Sequence, residues 1–126
     1  MVLKTKIDYT AAFVQAPIGT DVYVQMPKLF STPGKVWKLK KSIYGLKQSP
    51  CNYFLHMKGK LEKLNFAQAI ADPCLFIPLT VICLIYVDDA LLVYRAQQAV
   101  GNLAHDMKQE QMFNVESCSW IPWYPY

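Results

Sequence analysis

The chain has 126 residues, a hydrophobic fraction of 53% and a mean hydropathy of +0.12, enough to bury one core and too apolar for a disordered segment. Its net charge of +4, with lysines grouped between positions 35 and 63, suits a polyanionic partner and equally a solvated surface. The longest uncharged apolar run, Cys74 to Val87, contains Pro78 and falls short of the roughly 18 residues that span a bilayer, and Lys4 and Lys6 lead straight into Asp8 without a secretory leader. A soluble, intracellular, non-secreted protein with no membrane partner is expected.

Lys4 to Tyr9 reads as a short strand with Asp8 at its C-terminal end, where a turn or cap role is the ordinary one. Thr10 to Ala16 is small and apolar enough for a helical turn that Pro17 closes. Asp21 to Met26 alternates as a strand, Ser31-Thr32-Pro33-Gly34 turns, and Val36 to Lys40 alternates again, so the two are expected to pair. Lys40, Lys41 and Lys47 bracket Ser42-Ile43-Tyr44-Gly45-Leu46, a composition that suits either an ordinary loop or the approach of a phosphate-bearing ligand.

Ser49-Pro50 predicts a helix start with serine as N-cap and proline at the first helical position. Tyr53, Phe54, Met57, Leu61 and Leu64 then share a face that reads as core. Asp72-Pro73 turns into a short strand from Cys74 to Ile77, Pro78-Leu79-Thr80 turns back, and two apolar runs follow, Val81 to Val87 and Ala90 to Tyr94. Together they predict a three-stranded meander. A second helix is expected over about 97–112, and helices against an antiparallel sheet make an α+β fold. Cys51, Cys74, Cys83 and Cys118 have no paired spacing, so free thiols are expected rather than zinc. Residues 117–126, rich in proline and aromatics, follow no period.

Between the last two strands lie Asp88 and Asp89. One carboxylate is ordinary in a turn, but two neighbours repel and gain nothing from flanking core strands. Either the pair is only a polar turn, or it helps hold a divalent cation with hard oxygen ligands, which requires a further carboxylate from elsewhere.

Five blocks carry a resemblance: Ile7 to Phe13, Val22 to Pro27, Lys38 to Pro50 with its YGLKQSP run, Asp72 to Ile77, and Tyr86-Val87-Asp88-Asp89. In this order they resemble the reverse transcriptase of copia-type retrotransposons, from about residue 3 to residue 116. The resemblance implies a truncated, palm-like antiparallel sheet with helices on one face. It implies RNA-directed DNA polymerase activity by nucleotidyl transfer at Asp8, Asp88 and Asp89. Asp8 and Asp88 would hold two Mg2+ ions (Mn2+ as the alternative), with Asp89 an outer or supporting ligand. Two such ions sit about 3.5–4 Å apart in enzymes of this chemistry.

By the same resemblance Phe13 packs under the sugar and favours deoxynucleotides, unless it is simply a core aromatic. Tyr44, Gly45 and Lys47 line the nucleotide and template pocket, and Tyr86 lies next to the primer terminus. The implied partners are an RNA or DNA template with its primer, deoxynucleoside triphosphates and the rest of the Pol polyprotein, in a cytoplasmic virus-like particle or the nucleus. A partial palm with part of the fingers is expected over residues 1–116, and a divergent, frame-shifted tail over 117–126, with thumb and RNase H absent. Such a piece alone is expected to be inactive; the second reading is a non-catalytic transposon remnant with weak nucleic-acid binding.

Overall fold

The computed structural model describes residues 3–9, 11–78, 80–110 and 119–120. In chain order the elements are β1 (Leu3–Asp8), α1 (Ala12–Gln15), β2 (Tyr23–Val24), a 3₁₀ turn (Lys28–Phe30), β3 (Trp37–Lys38), α2 (Ser49–Lys63), β4 (Ala67–Gln68), β5 (Leu75–Ile77), β6 (Val81–Tyr86), β7 (Asp89–Tyr94), α3 (Gln97–Gln109) and β8 (Ser119–Trp120). Six strands form one sheet in the order β4-β5-β6-β7-β1-β8, each pair antiparallel. The predicted meander is its centre, and β1, first in sequence, docks on the far side of β7.

Register fixes which face is covered. Ile7, Ala90 and Ile85 lie side by side across three strands, as do Thr5, Leu92 and Cys83, and all six are buried. Alternation sends the intervening Lys6, Leu91 and Leu84 to the other face, where they are half-buried. Burial pushes the Cys83 thiol up to about 12. The hydroxyls of Thr5 and Tyr94 satisfy each other at 2.9 Å within the core.

On that covered face α2 presents Tyr53, Met57 and Leu61 at four-residue spacing, and α3 presents Val100 and Met107. Both helices and the inward strand positions belong to one core cluster. The fold is α+β, as the patterning predicted.

Three local details differ from the sequence reading. Gln48, not Ser49, is the N-cap of α2, and it makes no side-chain cap bond. The Ser49 hydroxyl instead donates to the Ile43 carbonyl at 2.5 Å, because the preceding loop folds back and offers a partly buried acceptor. At the other end Asn65, at φ 62, closes a Schellman motif in which the Asn65 and Phe66 amides donate to the Glu62 and Leu61 carbonyls, both at 3.0 Å. The strands expected over 21–26 and 36–40 pair as anticipated, Tyr23 with Lys38 and Val24 with Trp37, but each is only two residues long. Among the described residues they form a separate two-stranded ribbon.

Ser119–Trp120 adds an edge strand to β1, opposite Thr5 and Lys6. Thr10, Leu79, residues 111–118 and residues 121–126, which include parts of the predicted helical turn, the turn after β5, the end of the second helix and the tail, lie outside the described residues. No helix among the described residues is long and apolar enough to cross a membrane.

Candidate active site

The chemistry-bearing residues gather where β1 ends and β6 turns into β7. Pairing of Tyr86 with Asp89 leaves Val87 and Asp88 as a two-residue hairpin turn. Val87 has φ 53. Such turns need a positive φ at a central position, which glycine or asparagine usually supplies, so a β-branched residue there stores strain.

The Tyr9 amide donates to the Asp88 carbonyl at 3.1 Å, carrying the β1–β7 ladder one residue past both strands. That bond makes residues 9 and 88 a hydrogen-bonded pair. By alternation Asp8 and Asp89, which are register partners, form the non-hydrogen-bonded pair, with Cα atoms about 4.5 Å apart. The backbone thus brings positions 8, 88 and 89 to one rim of the sheet, 80 residues apart along the chain.

The Asp88 and Asp89 side chains are half-buried, while that of Asp8 lies outside the described residues. Asp89 is ion-paired with Lys6 at 3.1 Å, the two side chains being 43% and 45% exposed. At that exposure the pair is worth under about 1 kcal/mol, so it offsets charge at the rim without locking it. Lys6 was not singled out in the sequence, although its place two residues before Asp8 in a strand was signal enough.

Behind the rim lies a cluster of rings. Phe13 is buried, its ring 4.5 Å from that of Tyr44 and 5.9 Å from that of Tyr53, and Tyr53 meets Tyr9 edge-on at 6.1 Å. Phe13 is therefore buried and in ring contact with the loop that carries Tyr44. Tyr53 is buried with no hydrogen-bond partner for its hydroxyl among the described residues. Burial, then the charges of Asp88 and Tyr44, push its phenol well above the ordinary tyrosine range. Nothing in the apolar helix pattern distinguished this tyrosine from its core neighbours. Tyr53→Phe removes an unsatisfied buried group and keeps the ring packing, so it is expected to stabilise the chain by about 1 kcal/mol, read as a rise in thermal midpoint.

The loop carrying Tyr44 is strapped at several points. The Ser42 amide donates to the Ala16 carbonyl at 3.0 Å, the Asn52 amide group to the Ser42 hydroxyl at 3.1 Å, and the Lys41 ammonium to the Gln15 carbonyl at 3.1 Å. Gly45, at φ 98, makes the turn that leaves Tyr44 half-exposed over Phe13. Lys47 is exposed just beyond it and makes no ion pair among the described residues. Tyr86 is 73% exposed at the end of β6, beside the turn.

Among the described side chains, no three histidine, cysteine or acidic groups are clustered to hold a metal ion. Asp88 and Asp89 supply two half-buried carboxylates, and position 8 lies opposite Asp89 in the backbone register; carboxylate oxygens are the ligand type that Mg2+ and Mn2+ take.

Comparison with known proteins agrees with the sequence resemblance. A family model described as reverse transcriptase (RNA-dependent DNA polymerase) matches residues 2–121. The chain is 29% identical over 112 residues to the retrovirus-related Pol polyprotein from transposon TNT 1-94 of Nicotiana tabacum, covering 82% of this chain and 8% of that protein. It is 31% identical over 111 residues to the corresponding polyprotein from transposon RE1 of Arabidopsis thaliana, again covering 82% and 8%. The Ty1-NL2 Gag-Pol polyprotein of Saccharomyces cerevisiae is 29% identical over 107 residues, 84% of this chain and 6% of that protein. The chain thus spans under a tenth of the polyproteins it matches. No solved structure matches it.

Proposed function

The chain belongs to the reverse transcriptase (RNA-dependent DNA polymerase) family of copia-type retrotransposon Pol polyproteins, and we propose that it is the palm portion of such a polymerase, with its nucleotidyl-transfer site at the rim formed by Asp8, Asp88 and Asp89. The observation that carries this reading is the direct opposition of Asp8 and Asp89 beside Asp88.

In this reading Asp8 and Asp88 hold two divalent ions, and Asp89, ion-paired with Lys6, supports them from the adjacent position. When bound, such ions polarise the transferring phosphoryl group and lower the pKa of the attacking 3′-hydroxyl. The chain's own work is positioning. The strained Val87 turn fixes Asp88 relative to Asp89, and the ladder bond from Tyr9 ties that turn to the strand bearing Asp8. Phe13 supports Tyr44 from beneath, so the Tyr44-Gly45 turn and Lys47 form one wall for the nucleotide, and a bulky Phe13 disfavours a 2′-hydroxyl. Tyr86, exposed beside the turn, suits the primer end. The template–primer, the deoxynucleoside triphosphates and the remainder of the polyprotein are the partners, inside the cell in a particle or the nucleus.

Positioning a template–primer supplies much of the rate in such enzymes, and the chain spans under a tenth of the polyproteins it matches. The test is therefore a chimera in which residues 2–121 replace the matching segment of the tobacco polyprotein. Mg2+-dependent primer extension on an RNA template is expected. A chimera that folds and binds template–primer but incorporates nothing contradicts the proposal.

A further inference from the structure

The ribbon of β2 and β3, with the 3₁₀ turn between them, is used by none of the chemistry above, yet it carries an unusual surface. Phe30 is 67% exposed and Trp37 is 42% exposed, and their rings lie 6.4 Å apart at 37°. Tyr23, on the ribbon's other side, is also exposed, with the Lys38 ammonium 5.9 Å from its ring centre. Residues 21–40 contain four lysines against one aspartate, and that aspartate, Asp21, is already paired with Lys38 at 2.7 Å. Lys28 and Lys35 each stand two residues before one ring of the pair, Phe30 and Trp37 respectively, and are exposed.

The loop holds this shape through its own backbone, with the Phe30 amide donating to the Pro27 carbonyl at 2.8 Å and the Lys35 amide to the Thr32 carbonyl at 3.1 Å. It also joins the site. The Leu39 amide bonds the Val22 carbonyl at 2.9 Å, and the bridge from Pro17 to Lys41 leads directly into the strapped Ser42–Lys47 loop.

We propose that the Phe30–Trp37 pair, on a ribbon segment that also carries exposed Lys28 and Lys35, is a stacking platform for single-stranded nucleic acid. Exposed rings with an excess of lysine are the pairing such sites use, since every unpaired base has a π-face and every linkage a phosphate. A protein partner fits less well, because lysine is depleted from the centres of protein interfaces. A duplex fits less well too, because its base faces are already stacked on each other. The proposal extends the nucleic-acid partner named above to a surface apart from the acidic rim, and the two are tested separately.

The experiment is fluorescence anisotropy of a labelled 12-nucleotide oligothymidylate titrated with the full 126-residue chain and its variants at several salt concentrations. Trp37→Ala and Phe30→Ala are each expected to weaken binding roughly tenfold while leaving the circular dichroism unchanged. The Lys28→Ala/Lys35→Ala double variant is expected to flatten the salt dependence by about two phosphate contacts. Ile70→Ala, an exposed apolar side chain outside the ribbon, is expected to bind as the parent does, which separates this surface from exposed apolar area in general. Parental affinity in Trp37→Ala and Phe30→Ala overturns the proposal, whether the chain then binds elsewhere or not at all. So does a loss in those variants that is confined to self-association of the chain, which would make the platform a protein contact.

Discussion

Asp88→Asn, introduced into the polyprotein chimera, is expected to abolish RNA-templated extension while leaving folding and template–primer binding intact. The substitution keeps size and shape and leaves the backbone bond from Tyr9 to residue 88 in place. What it removes is one full negative charge from the rim to which the backbone brings positions 8, 88 and 89, beside the Lys6–Asp89 ion pair. An amide is a poor ligand for a hard divalent ion beside a carboxylate. If Asp88 holds divalent ions as proposed, its loss should exceed the roughly 10²–10³-fold that losing a single transition-state hydrogen bond costs. Rates within tenfold of the parent would show that Asp88 is a turn residue and no more.

On stability, the largest single effect is expected from Phe76→Ala. Phe76 sits on β5 with no exposed surface, opposite Cys83, and its ring lies 6.3 Å from Phe54 on α2. It therefore joins the sheet to the helix across the core. Truncation of a buried phenylalanine costs about 3–5 kcal/mol, against a total stability of about 5–15 kcal/mol for a domain. For a chain of this size that corresponds to a fall in thermal midpoint on the order of 10–20 °C. Phe30→Ala is the control, since its ring is mostly in water and its loss should stay within about 0.5 kcal/mol. Equal effects at the two positions would mean the core is not where the register places it.

Much of this was legible in the sequence because the apolar signals were strong. Val81 to Val87 and Ala90 to Tyr94 are β-prone apolar runs on either side of the acidic pair, and Tyr53, Met57 and Leu61 repeat at one turn of helix. Local patterning cannot say which strand docks beside another, so the pairing of β1 with β7 was not read from the sequence; the family resemblance implied only that Asp8 shares a site with Asp88 and Asp89. The Ser49 cap failed for a similar reason. A hydroxyl at a helix start has two acceptable uses, and a loop that folds back to present the Ile43 carbonyl decides between them. The Schellman close at Asn65 was missed because its usual sign is glycine, and the two-residue β4 was too short to leave any pattern. At the site, the aspartates announced themselves by crowding, whereas the buried hydroxyl of Tyr53 looks, in sequence, like any other core aromatic.

The most direct measurement is a Mn2+ titration of the 126-residue chain followed by the electron paramagnetic resonance signal of the free ion. Two ions taken up per chain, with uptake weakened at least tenfold by Asp8→Asn and by Asp88→Asn separately, is what convergence of these carboxylates requires. No saturable uptake, or uptake indifferent to both substitutions, would mean that the acids opposed across β1 and β7 share no cations.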